Sequence, residues 1–172
     1  MLISLSEIMN LPRGDNEFTY KYEPDVLCIT GKEYEITKKD DILITVTNKG
    51  NKKLRIKVKG FFEFLVPCDR CLSLQKVSVP IDFAGDVDMN LTSEERALEL
   101  DDTEYISGYD LDVDRLIYEE ILLGFPMKVL CSEDCKGLCK ICGHNLNVGE
   151  CGCDRIESDP RMSVIRDIFK TK

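Results

Sequence analysis

Alternation of apolar and polar residues dominates the first half of the chain. Phe18-Thr19-Tyr20-Lys21-Tyr22 and Val26-Leu27-Cys28-Ile29-Thr30 read as strands, with Cys28 a buried strand thiol between Leu27 and Ile29. Ile42, Ile44 and Val46 then alternate with Leu43, Thr45 and Thr47, and Asn48-Lys49-Gly50-Asn51 is the expected turn of a hairpin. On the return strand Leu54, Ile56 and Val58 share one face. Lys53, Arg55, Lys57 and Lys59 share the other, because side chains alternate with period two. Gly60 is the expected site of a bulge. Beyond it Phe62, Phe64 and Val66 continue the apolar parity, while Phe61, Glu63 and Leu65 suggest burial on both faces, and Pro67 closes the strand. Gln75 to Phe83 alternates again, with Val77, Val79, Ile81 and Phe83 inward, so Cys68 to Cys71 falls in the turn between two strands.

The remaining segments are less regular. Leu2-Ile3-Ser4-Leu5 suits an edge strand and Leu11 to Asp15 a loop. Residues 86–104 are acidic and read as a solvated excursion, with Thr92-Ser93-Glu94-Glu95 resembling a weak helix start. Tyr105 to Tyr109 is expected to return to the sheet. Asp110 or Asp112 then caps a helix in which Val113, Leu116, Ile117, Glu120, Ile121 and Phe125 follow helical spacing, ended by Gly124 and Pro126. Its apolar stripe is expected to pack on the sheet. Asp159-Pro160 starts a short terminal helix with Met162, Ile165, Ile168 and Phe169 on one face. The pattern predicts an α+β fold: an antiparallel sheet with one or two packing helices over residues 1–126, followed by a Cys-rich module and terminal helix over 127–172.

Composition narrows the class. A chain of 172 residues, 43% hydrophobic, has enough material for one sizeable core. No stretch has the n-region and apolar core of a secretory signal, and none approaches the roughly 20 apolar residues of a membrane span. A cytoplasmic location without membrane contact is the expectation. The net charge of −9 repels nucleic acid on average, so any contact with an anionic partner must be local. Lys53, Arg55, Lys57 and Lys59 are the RNA-contact candidates, forming a stripe about 20 Å long. The plainer reading of the same four is the solvated outer face of a sheet.

Cysteine changes the picture most. Six of the nine cysteines lie between Cys131 and Cys153, and Cys68 and Cys71 form a separate Cys-Asp-Arg-Cys pair. In a reducing compartment such a pattern favours metal over disulfides. Cys139-Lys-Ile-Cys142-Gly143 with Cys151-Gly-Cys153 has the ligand spacing of a structural four-cysteine zinc site. Cys68, Cys71, Cys131 and Cys135 form a possible second quartet, which would tie the sheet turn to the segment after the helix. Sequence leaves other pairings open, with Cys131 or Cys135 joining the first site, and Cys68 and Cys71 as reduced or redox-active thiols. Iron–sulfur ligation is a further option, though knuckle turns of this size favour zinc. Four thiolates leave no open position for substrate. His144, the one histidine, lies inside the knuckle. No phosphate loop or deaminase motif is present, so an enzyme is not expected.

Leu123-Gly-Phe-Pro-Met-Lys-Val-Leu-Cys131, the run from Cys135 through Cys139-Lys-Ile-Cys142-Gly-His to Asn147, Cys68-Asp-Arg-Cys71-Leu72 and Asp159-Pro-Arg-Met162 combine into a recognisable set. Together they resemble the bacterial large ribosomal RNA subunit accumulation protein family (YceD-like). Lys140 departs from it, standing where the family's Gram-positive-like members commonly have Pro. The resemblance implies a non-enzymatic factor for 23S rRNA synthesis, processing or stability in large-subunit biogenesis. Its implied partner is rRNA or a large-subunit precursor, met directly or through a ribosomal protein. Two other classes stay open: a zinc-stabilised adaptor docking a basic protein through its acidic 86–104 segment, and a thiol redox protein using Cys68 and Cys71. Oligomeric state is not legible in the sequence.

Overall fold

The computed structural model describes residues 1–91 and 105–153. The chain forms two compact units. The first comprises Met1–Pro67 and Leu74–Val129, and the second Cys68–Ser73 with the chain from Leu130 onward.

The first unit is built on a six-stranded antiparallel sheet, and its fold class is α+β. In chain order its strands are β2 (Gly14–Tyr20), β3 (Val26–Ile29), β4 (Lys32–Lys39), β5 (Ile42–Gly50), β6 (Lys53–Pro67) and β7 (Leu74–Asp88). The sheet order is β2-β5-β6-β4-β3, with β7 also on β6. β7 runs along all of β6, from Lys53↔Asp88 to Pro67↔Leu74. The other edge of β6 is shared: β5 takes Lys53 to Lys59, and β4 takes Phe62 to Leu65.

Gly60 sits at that changeover rather than at a bulge. The β6–β7 register runs through Gly60↔Ile81 without a shift. A Cβ there would approach Ile42 Cγ1 to 3.2 Å, so the close passage of β5 explains the glycine. The irregularities lie instead at Ile36/Lys38 and Asn48/Gly50. The hairpin turn is also displaced from the expected Asn48–Asn51. Gly50 pairs with Lys53, and the two-residue turn is Asn51-Lys52, with φ of +55° and +57° as a type I′ turn requires.

Leu54, Ile56, Val58, Phe62, Phe64 and Val66 are buried on the even face of β6, as the alternation predicts. Each such side chain contributes roughly 1.5–3 kcal/mol on burial. The odd residues Phe61, Glu63 and Leu65 are half-buried. Cys28 is exposed, not buried: Leu27 and Ile29 take the inner face of β3, which points the intervening thiol outward.

A second, three-stranded sheet has the order β1-β9-β8, from β1 (Leu2–Ser4), β8 (Ile106–Ser107) and β9 (Asp110–Asp112). The return at Tyr105 thus joins this small sheet and not the main one, because β9 pairs with β1 through Ile3↔Leu111. Between β1 and β2 lies α1 (Leu5–Asn10), whose Leu5 and Ile8 are buried. The covering helix α2 (Val113–Gly124) follows β9 directly. Asp112 is its N-cap and accepts the Arg115 N–H at 3.3 Å. Val113, Leu116, Ile117 and Ile121 are its buried face, and it packs on β7. A Cβ on Gly124 would stand 3.0 Å from Val79 Cγ1, which fixes a small residue at the helix end. Phe125 then packs edge-on against Phe64 with centroids 5.7 Å apart.

The acidic excursion begins later than its composition suggests. Asp86, Val87 and Asp88 belong to β7. Residues 92–104 and the expected terminal helix from Asp159 lie outside the described residues.

Candidate metal centres and the charged ladder

The second unit is organised by two Cys-x-x-Cys turns of the same build. Cys68 opens one and Cys139 the other. The Leu72 N–H donates to the Cys68 carbonyl at 2.9 Å, and the Gly143 N–H to the Cys139 carbonyl at 2.8 Å. Both closing residues have positive φ, 60° for Leu72 and 72° for Gly143. The two turns are knitted to the segments around them. The Leu138 N–H donates to the Arg70 carbonyl at 3.1 Å, and the Arg70 guanidinium donates to the Cys135 carbonyl at 2.9 Å. Gly137, with φ of +76°, lies where a Cβ would meet the Arg70 carbonyl oxygen at 3.0 Å, so no other residue fits there without movement.

This framework gathers eight thiols into two quartets: Cys68, Cys71, Cys131 and Cys135, and Cys139, Cys142, Cys151 and Cys153. Within each, the four sulfurs lie within 4.8 Å of one another. Cys71 and Cys131 Sγ are 3.5 Å apart, and Cys68 and Cys135 Sγ 3.8 Å. A tetrahedral four-sulfur site with bonds of about 2.3 Å separates its sulfurs by about 3.8 Å, so the quartets have the spacing to hold a metal ion. No cysteine is in a disulfide. In the first quartet three thiols are buried and Cys131 is half-buried; in the second Cys139 is buried, Cys151 and Cys153 half-buried, and Cys142 exposed.

Hydrogen-bond donors converge on the sulfurs, which favours thiolate over thiol. Cys68 Sγ accepts the Cys131 N–H at 3.3 Å, and Cys135 Sγ accepts the Asn147 amide at 3.4 Å. Desolvation works to raise the Cys68 pKa. The N–H groups of Arg70, Cys71 and Cys131 outweigh it and bring the value down to about 6. Cys139 is likewise lowered to about 6 by the N–H groups of Cys142 and Ile141. Cys131 is pushed up to about 11, chiefly by Cys135 and Cys71, and Cys153 to about 12, chiefly by Cys142. Each quartet thus holds its first thiolate readily and resists its last, because negative charge accumulates in one place. A cation at the centre removes that conflict. His144 belongs to neither quartet; its carbonyl accepts the Cys139 N–H at 2.8 Å.

The basic stripe has a partner that sequence reasoning missed. Across the β6–β7 ladder Lys53 faces Asp88, Arg55 faces Asp86, Lys57 faces Ala84 and Lys59 faces Asp82. Lys53 and Asp88 are 3.1 Å apart, and Lys59 and Asp82 3.8 Å. Arg55 grips Asp86 through two bonds of 2.8 and 2.6 Å, and Lys49 joins the same carboxylate at 2.7 Å. On the far side β2 sets Asp15 and Glu17 across β5 from Arg55 and Lys57. Lys49, Lys53, Arg55 and Lys59 are thus paired with Asp82, Asp86 and Asp88 on this face. Lys57 has no carboxylate partner among the described residues. The signal was in the sequence, as Asp82, Asp86 and Asp88 at spacing two, but only the strand register shows what they face.

A sheet joined to a pair of four-thiol clusters is a scaffold with the capacity to bind metal. The chain belongs to the family described as large ribosomal RNA subunit accumulation protein YceD, which it matches over residues 55–169, two thirds of its length. It is also 36% identical over 50 residues to the large ribosomal RNA subunit accumulation protein YCED homolog 1, chloroplastic, of Arabidopsis thaliana. That stretch is 29% of this chain and only 16% of the relative. No solved structure matches the chain. Among the described residues no helix is long and apolar enough to cross a membrane.

Proposed function

We propose that the protein is a non-enzymatic factor in large ribosomal subunit biogenesis, supporting the synthesis, processing or stability of 23S rRNA. The observation that carries this reading is family membership over residues 55–169, a span that includes β7, α2 and all eight quartet thiols. Depleting the protein lowers the ratio of large- to small-subunit rRNA; an unchanged ratio overturns the proposal.

Within this role we assign one zinc ion to Cys139, Cys142, Cys151 and Cys153 and a second to Cys68, Cys71, Cys131 and Cys135. All-sulfur donor sets at this spacing suit zinc, and four thiolates leave no position for water or substrate. Both sites therefore act by holding the chain in shape. The buried quartet closes the loop from Cys71 to Cys131, a separation of 60 residues.

We place attachment to the precursor on protein surfaces rather than on Lys53, Arg55, Lys57 and Lys59. Lys53, Arg55 and Lys59 are already matched by carboxylates, and cations so matched release few counterions on meeting a phosphate backbone. Replacing all four with Ala leaves the affinity for a large-subunit rRNA precursor and its salt slope unchanged on this reading. A salt slope reduced by about three to four instead makes the stripe the RNA-binding face.

A further inference from the structure

β2 is a terminal strand of the main sheet. It pairs with β5 from Gly14↔Asn48 to Tyr20↔Ile42, and among the described residues nothing pairs with its other edge. A strand paired on one side directs about half of its N–H and C=O groups outward, where they can accept a further strand. Beside this stretch of about 23 Å lies a groove of ≈ 600 Å³, bordered by β1, α1 and residues Asp15 to Phe18 of β2. Its apolar part includes Leu2 and Leu11, 67% and 49% exposed, and half-buried Phe18.

The groove's charge is one-sided. Glu7, Asp15 and Glu17 line it, and no Lys or Arg does. Glu7 and Glu17 have no ion pair among the described residues, whereas Asp15 accepts the Thr47 hydroxyl at 2.6 Å. The Met1 ammonium, also at the groove, is engaged by Asp114. Alternation sorts the β2 side chains into two rows. Asp15, Glu17 and Thr19 lie on one face, and Asn16, Phe18 and Tyr20 on the other.

We propose that the free edge of β2 and this groove form a docking site for an extended cationic peptide in which Lys or Arg alternates with apolar residues. Such a segment adds as a strand. Its main chain satisfies the open edge of β2, one row of side chains meets the carboxylates, and the other covers Leu2, Leu11 and Phe18. An RNA strand has the wrong charge for these carboxylates and no amide ladder to offer. The inference deepens the protein-contact part of the proposed function and rests on it for the source of the peptide. The experiment uses purified protein, so its failure leaves the rRNA-ratio test standing.

The probe is a fluorescein-labelled eight-residue peptide alternating Lys and Val, titrated against the zinc-loaded full-length chain and followed by anisotropy. Saturable one-to-one binding is expected, with protection of the β2 amides from hydrogen exchange. A Glu-for-Lys version and a version with Pro at alternate positions bind at least about tenfold more weakly, the first for charge and the second for lost N–H donors. The variant Glu7→Gln/Glu17→Gln keeps its thermal midpoint and loses about three- to tenfold in affinity, with a shallower salt dependence. Absence of saturable binding overturns the proposal, as does equal binding of the Pro-interrupted peptide, which reveals charge attraction alone. Unchanged affinity in the double variant also overturns it, leaving the carboxylates as guards of an exposed edge.

Discussion

Leu72 and Gly143 hold the same position in two copies of one turn, each donating its N–H to the carbonyl four residues back, at 2.9 and 2.8 Å. The backbone at that position is left-handed, with φ of 60° and 72°. A β-carbon there costs roughly 1–2 kcal/mol. Gly143 avoids this cost and Leu72 bears it with its side chain largely in solvent. Nothing lies within 4 Å of a Cβ built on Gly143, so substitution there reports backbone strain alone. Gly143→Leu is expected to destabilise the metal-loaded protein by about 1–2 kcal/mol, while Leu72→Gly stays within about 1 kcal/mol of wild type. Chelator competition and thermal midpoints on the two variants check the asymmetry; equal losses show that the Leu72 side chain contributes contacts of its own.

Asn48 is buried and works at the end of α1. Its Nδ2 donates to the carbonyls of Ile8 and Leu11 at 3.1 and 2.9 Å, and its Oδ1 accepts the Gly50 N–H at 2.9 Å. These bonds satisfy chain-end carbonyls that a six-residue helix leaves open and fix the irregular end of β5. Asn48→Ala is expected to cost about 1–3 kcal/mol. Asn48→Asp is expected to cost more, since a buried carboxylate has no donor for those carbonyls. Urea midpoints at constant m-value give the ranking; an Asp variant as stable as wild type shows that the carbonyls have found water.

The Arg55 and Lys49 hydrogen bonds hold the Asp86 carboxyl well below the usual carboxylate range. A depressed folded-state pKa stabilises the protein above the unfolded value near 4, and that stability is lost as pH falls through the folded value. Asp86 is half exposed, so solvent screens the pair and the effect is modest. Asp86→Asn is expected to flatten stability between pH 5 and 2 relative to wild type, with no gain at pH 7. Parallel slopes in acid denaturation of the two proteins show the pair to be energetically idle.

Metal content of two per chain is expected, with release in two phases under a chelator. The quartet of Cys139, Cys142, Cys151 and Cys153 includes an exposed ligand and empties first; the quartet with three buried thiols follows. Cys142→Ser removes the fast phase and Cys71→Ser the slow one, each leaving about one metal. With both sites filled, exposed Cys28 is the thiol that labels rapidly. One metal per chain in the wild type, or loss of both phases in either variant, contradicts two independent sites.

The parts of the fold legible in the sequence are those set by local period. Alternation located β5, β6 and β7, helical spacing with an Asp cap located α2, and paired cysteines located both knuckle turns. Elements held by distant partners were not legible. β4 has only Tyr34 and Ile36 as apolar residues among charged neighbours, and it is a strand because the second half of β6 needs an edge partner. β9 depends on β1, more than a hundred residues away in sequence, so the expected return at Tyr105–Tyr109 is legible as a strand but not the sheet it joins. Asn48 has the composition of a turn residue, since burial and partners on α1 leave no local mark. Asp86 and Asp88, which face Arg55 and Lys53, have the composition of the start of an acidic excursion. Charge balance on a sheet is a property of register, and register is fixed by the pairing of two strands and not by either alone.

The spacing of the buried quartet also has a consequence in time. Cys68 and Cys71 leave the ribosome some 60 residues ahead of Cys131 and Cys135. At typical elongation rates of 5–20 residues per second, that is an interval of about 3–12 s in which one half-site exists without the other. During it the β6–β7 hairpin can pair along its full length, because its strands and turn are already synthesised. The quartet is therefore completed late, on the turn of a hairpin already synthesised, and its closing marks a nascent chain that has passed Cys135.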